Sequence, residues 1–212
     1  MRICPPDSEL SIASGLLALQ PGATRACIVC HPHPGRGGDM NNPFVTEAVR
    51  MFQAAGISTL RFNFSNGRDG IGDDTDALIS ANQLELSSAV AMLKLRAPDA
   101  AVILVGYSYG ALVSLAAARK DPTSIQALAL IAPPIEYVSE GLGPSRRDFA
   151  LWPMLMAAGD ADEYCSTARL RTTAGDSAST IVILKSIGHF LQGASAELAA
   201  RHAVEWVEAL QV

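Results

Sequence analysis

The chain has 212 residues, 49% of them hydrophobic, with a formal net charge of -5 and a pI near 5.3. That length and apolar fraction fit a single domain with a large core, and the acidic balance with scattered basic residues leaves no electrostatic footprint for nucleic acid. No window is long and apolar enough to cross a bilayer, and the start Met1-Arg2-Ile3-Cys4-Pro5-Pro6 lacks the run of a secretion signal, so a cytoplasmic protein is expected.

In chain order, residues 10–13 and 16–19, parted by Ser14-Gly15, read as an antiparallel hairpin at one sheet edge. Strand 26–31, helix 43–55 and strand 57–62 follow, with Asn42 as N-cap and Pro43 at the first helical position. A helix over 75–96 is preceded by Asp73-Asp74-Thr75-Asp76, whose carboxylates suit a helix N-terminus better than catalysis or metal binding. Next come strand 101–106, helix 109–119, strand 125–131, strands at 154–158 and 180–184, and a last helix over 194–210. All-apolar strands separated by helices predict an α/β fold, a mainly parallel sheet of about seven strands covered on both faces.

The stretch 132–151 is too short for a lid domain. Its prolines and glycines read as an irregular loop with at most one helical turn, which leaves an open, shallow site. Of four cysteines, Cys27 and Cys30 share one strand at an odd separation and so point to opposite faces; reduced, structural thiols are expected.

The chemistry concentrates at Gly106-Tyr107-Ser108-Tyr109-Gly110, between a buried-type strand and a helix. A turn that pushes a serine hydroxyl clear of the backbone brings strand and helix so close that the flanking positions tolerate little beyond glycine. The backbone amide of Tyr109, at the helix start, is half of a candidate oxyanion hole. A nucleophilic Ser108 requires a base and an acid that orients it. The strand at 154–158 opens into Gly159-Asp160-Ala161-Asp162-Glu163, and the strand at 180–184 is followed by Gly188-His189-Phe190. His189 is the candidate base; Asp162 and Asp160 are both placed to be the acid.

The order Ser, Asp, His and the elbow resemble the α/β-hydrolase superfamily from about Ala26 onward. The segment His31-Pro32-His33-Pro34-Gly35-Arg36-Gly37-Gly38-Asp39-Met40-Asn41-Asn42 is similar to the signature of small, lidless hydrolases related to dienelactone hydrolases, and Arg61-Phe62-Asn63-Phe64 to their next strand. The resemblance implies an α/β-hydrolase fold and a catalytic Ser108, Asp162 and His189. Asp162 is preferred to Asp160 because the superfamily's acid usually stands three positions after the glycine that ends its strand. Two features depart from the pattern. Ser65-Asn66-Gly67-Arg68 replaces an Arg-Gly turn, and dienelactone hydrolases proper use cysteine where this chain has Ser108.

The second oxyanion donor is expected from the loop after the first parallel strand, where the His33 amide is first choice, Gly35 the fallback, and Pro34 excluded for want of an N–H. His31, His33 and Asp39 could hold a metal, but a structural loop takes precedence; His202 reads as helix surface. Tyr107, Tyr109 and Phe190 could line the site or pack the core.

The resulting expectation is a serine esterase or thioesterase acting on a small-molecule acyl substrate. It needs no metal or organic cofactor, no nucleic acid and no membrane, and its oligomeric state is not legible. Acyl transfer or peptidase chemistry on the same residues, or a non-catalytic binding module, are the alternatives.

Overall fold

Apolar strands buried on both faces organise the molecule. The structure is a computed structural model that describes residues 15–65, 75–139, 141–175 and 180–211. The first half of the expected hairpin, Asp73 and Asp74, and the turn from Asn66 to Arg68 lie outside these residues.

The strands are β1 (Gly15–Ala18), β2 (Arg25–Cys30), β3 (Ser58–Phe62), β4 (Ala101–Tyr107), β5 (Ala127–Ile131), β6 (Met154–Gly159) and β7 (Thr180–Leu184). They form one sheet in the order β1-β3-β2-β4-β5-β6-β7. β1 pairs antiparallel with β3 and the other neighbours are parallel. The chain therefore moves outward from β2 to β3 on one side, then returns to β4 on the other. Loops leaving the carboxyl ends of β2 and β4 diverge, which opens a crevice where such sheets bind ligands.

The helices are α1 (Pro43–Ala54), α2 (Thr75–Arg96), α3 (Tyr109–Lys120), α4 (Arg146–Leu151), α5 (Thr167–Ala174) and α6 (Ala194–Ala209). The pleat of β2 divides the core. Ala26, Ile28 and Cys30 face a cluster with α2 and α3, whereas Cys27 and Val29 face one with α1 and α6. Cys27 and Cys30 thus point to opposite faces as free, buried thiols, and burial pushes both up, Cys30 to about 12. α1 starts where the sequence places it, Asn42 Oδ1 accepting from the Phe44 amide at 3.0 Å ahead of Pro43.

Two helices correct the sequence reading. α5 was not anticipated because only Leu170 and Ala174 of it are buried and its remaining positions are mostly polar. α4, six residues long, exceeds the single turn expected for 132–151. Its cause is electrostatic. Asp148 is 2% exposed, and its Oδ2 accepts from the amide and hydroxyl of Ser145, each at 2.7 Å. Arg119, from the last turn of α3, grips both Asp148 oxygens at 2.8 and 2.6 Å and donates to the carbonyls of Gly141 and Gly143. One guanidinium thereby ties the loop to the helix that follows the elbow.

Burial opposes ionisation of Asp148, but the Arg119 and Ser145 hydrogen bonds outweigh it and hold the carboxyl below its ordinary value. A carboxyl depressed in the folded state contributes stability above its unfolded pKa of about 3.9, and that contribution is lost as pH falls through the lower folded value. We expect Arg119→Met, which leaves Asp148 buried and unpaired, to cost about 3 kcal/mol in urea unfolding at pH 7. The difference from wild type should shrink as the pH is lowered below about 4.

Candidate active site

Ser108 follows directly on β4 with φ 54° and ψ -119°, a left-handed conformation that costs a non-glycine residue about 1–3 kcal/mol. Its neighbours make this turn possible. A Cβ on Gly106 would lie 2.3 Å from the Gly110 carbonyl oxygen, and one on Gly110 would lie 2.5 Å from that of Cys30 and 2.6 Å from that of His31. The first glycine lets α3 cross β4; the second lets α3 cross the end of β2. The Ser108 amide donates to Ile131 at the end of β5, at 2.8 Å, which anchors the elbow.

His189 sits in the loop after β7, with Nε2 2.8 Å from Ser108 Oγ and Nδ1 3.0 Å from each carboxylate oxygen of Asp162. A carboxylate at Nδ1 places the proton there, so Nε2 is left to accept from the serine hydroxyl. The Asp162 side chain is wholly buried, and its Oδ1 also accepts from the amides of Tyr164 at 2.8 Å and Cys165 at 3.1 Å. The aspartate and histidine loops touch backbone to backbone. The Ala161 amide donates to Ile187, and a Cβ on Gly159 would lie 1.8 Å from the Ile187 oxygen.

Asp160 points elsewhere. Its carboxylate accepts from the Ser186 amide at 2.7 Å and pairs with Lys185 at 3.5 Å, bracing the turn after β7.

The tyrosines beside Ser108 have different partners. Tyr107 donates from its hydroxyl to the His189 carbonyl at 2.8 Å and accepts from the Leu191 amide at 3.0 Å, so it braces the histidine loop from β4. Burial raises its phenol above the ordinary value, which keeps the donor protonated. Tyr109 accepts from Asn82 Nδ2 at 2.8 Å, and its ring lies 4.9 Å from that of His33. Both tyrosines are buried and also line the cleft; Phe190, 70% exposed, stands at its rim rather than in the core.

The loop after β2 is clasped by the strand that precedes it in the sheet. His31 is fully buried, its Nε2 accepting from the Phe64 amide at 3.0 Å while Nδ1 lies 2.6 Å from the Pro32 carbonyl. Arg61 donates to the Met40 carbonyl and Asn63 accepts from the Met40 amide, each at 2.8 Å. The His-Pro-His-Pro segment and the Arg-Phe-Asn-Phe segment are thus two halves of one joint.

Backbone contacts on both ring nitrogens give His31 a structural use, and among the described residues no three His, Cys, Asp or Glu cluster as metal ligands. His33 lines the cleft, whereas the amide of Gly35 donates to His33 Nδ1 at 3.1 Å and is already engaged. His202 lies on α6, its side chain about one-third exposed, 3.8 Å from Glu205.

A cleft of about 350 Å³ opens over Ser108 and His189. Tyr164 was missed by the sequence reading, yet its ring lies 4.5 Å from that of His189 and 4.8 Å from that of Tyr137. Its position two residues after Asp162 was the available signal. Together with Phe190 these side chains give the cleft an aromatic wall.

The model of the alpha/beta hydrolase fold matches residues 39–169, and the chain belongs to that family. A serine hydrolase without a lid from Xanthomonas campestris is 28% identical with a TM-score of 0.72, covering 94% of this chain and 90% of its own. A protein of unknown function from Agrobacterium tumefaciens is also 28% identical, with a TM-score of 0.72 and coverage of 92% and 89%. An uncharacterized protein from Rickettsia prowazekii is 31% identical over 128 residues, 57% of this chain; the match spans only 50% of that relative's length. Family and neighbours support a hydrolase. No helix among the described residues is long and apolar enough to cross a membrane.

Tyr107→Phe removes the hydroxyl that joins the His189 carbonyl to the Leu191 amide and leaves two buried backbone groups unsatisfied. We expect a loss of about 1–3 kcal/mol in urea unfolding, together with broadening of the His189 imidazole NMR signals that a loss of stability alone does not produce.

Proposed function

We propose that the protein is a serine hydrolase that cleaves carboxylic ester or thioester bonds through Ser108, His189 and Asp162. The observation that carries this reading is the continuous hydrogen-bonded chain from Asp162 through His189 to Ser108, which ends on a strained elbow at the floor of an open cleft.

In the proposed reaction His189 Nε2 takes the Ser108 proton as Oγ attacks the carbonyl carbon, and Asp162 stabilises the imidazolium that forms. The developing oxyanion accepts from the backbone amides of Tyr109 and His33. The Tyr109 amide begins α3, where no intrahelical acceptor is available to it. The imidazolium then protonates the departing alkoxide or thiolate, leaving an acyl-Ser108 ester. Water enters, gives a proton to His189 and its oxygen to the acyl carbon, and Ser108 leaves with the returned proton. General-base and oxyanion contributions of about 10²–10⁴ and 10²–10³ in rate are typical of such groups. An open cleft with only a short helix in 132–151 favours water over a larger acyl acceptor, which supports hydrolysis rather than acyl transfer.

A neutral fluorophosphonate probe should modify Ser108 alone, as mapped by mass spectrometry. We expect His189→Ala and Asp162→Asn to slow labelling and p-nitrophenyl acetate turnover by about 10²–10⁴-fold, while Asp160→Asn stays near wild type. Folded protein that resists the probe would make a non-catalytic binding role the leading reading.

A further inference from the structure

The cleft contains, among the described residues, one permanent charge that the reaction does not use. Among the described residues that line it, Arg36 is the sole side chain with a fixed charge, and none is Asp or Glu. Arg36 is exposed, and its guanidinium has no hydrogen-bond or ion-pair partner among the described residues. The nearest carboxylate in sequence, Asp39, accepts from the Asn41 amide at 2.7 Å.

The backbone beneath Arg36 is fixed. Residues Pro34–Arg36 form a 3-10 turn, closed by the Gly37 amide donating to Pro34. The His33 carbonyl accepts from the amides of Arg36 at 3.1 Å and Gly38 at 3.0 Å. A Cβ on Gly38 would lie 2.2 Å from the Pro32 oxygen, so the turn cannot drift from the base of the loop. A free guanidinium on a pinned turn, at the rim of a cleft with no acid among its described lining residues, is available to receive an anion in bidentate fashion.

We propose that Arg36 selects acyl substrates carrying a second, unreacting carboxylate. This rests on the hydrolase reading above: Ser108 attacks one carbonyl while Arg36 holds the anionic group of the same molecule. The protein as a whole carries a formal charge of -5 and disfavours anions at long range, so a preference for them must come from a local cation.

The test compares two anionic esters with their methyl-capped counterparts: the phenyl half-ester of glutaric acid, charged on the acyl side, and 4-carboxyphenyl acetate, charged on the leaving group. In wild type we expect at least one anionic ester to exceed its capped form by roughly three- to tenfold in kcat/KM. The difference should lie mainly in KM and shrink towards parity in about 1 M salt. Arg36→Gln should bring the ratio to about one, and Arg36→Glu should invert it. Parity for both pairs in wild type, or a ratio untouched in Arg36→Gln, overturns the proposal.

The neutral fluorophosphonate separates the two readings. Labelled Ser108 with no charge preference removes the Arg36 proposal alone. If Ser108 is not labelled the hydrolase reading falls, and titration of glutarate into wild type and Arg36→Gln, followed by NMR, decides the anion site: weaker binding in the variant upholds it and equal binding overturns it.

Discussion

Crowding where α3 leaves the sheet is the constraint on which the rest depends. Because β4 and β2 are adjacent and parallel, a helix starting at the end of β4 must pass over both strand ends within one turn. Gly106 relieves the first crossing and Gly110 the second. The remaining strain falls on Ser108, whose left-handed backbone directs Oγ away from the sheet. The placement of Ser108 at the cleft is therefore a consequence of helix–sheet packing, and the core clusters on either face hold it in place.

The loops around that elbow are braced by neighbouring strands and by α3. β3 holds the loop after β2 through Arg61, Asn63 and the Phe64 amide. Tyr107, one residue before the serine, holds the loop after β7. Arg119, in the last turn of the elbow helix, holds the loop after β5. Three loops that line the cleft are thus tied to a β-strand or to α3.

Much of this was legible in the sequence, for identifiable reasons. Strands such as Ala127–Ile131 are apolar at every position and could only be buried on both faces. The elbow glycines announced a backbone constraint, and Asn42-Pro43 announced a helix start. α5 was hidden because it contributes just two buried residues, and α4 because it depends on an ion pair between residues 119 and 148 that no local pattern reveals. The joint between the His31-to-Asn42 segment and Arg61, Asn63 and Phe64 was equally hidden, since its two halves are far apart in sequence. Nor does spacing alone separate Asp160 from Asp162. Their neighbours differ, Ser186 and Lys185 contacting the first and His189 the second.

Asp162 shows how the fold makes room for a buried carboxylate. A charge with no access to water is costly unless donors replace the lost solvent. Here the amides of Tyr164 and Cys165 and the imidazole Nδ1 supply them, from two loops that a glycine allows into backbone contact. Those donors are already in position before any substrate binds, so the proposed imidazolium on His189 would require no reorganisation of the carboxylate. The ring of Tyr164 covers the same histidine, limiting solvent at the pair while leaving Nε2 facing Ser108. In the proposed reaction the aspartate would act without being reached by substrate, and discrimination between substrates would fall to the groups that line the open cleft.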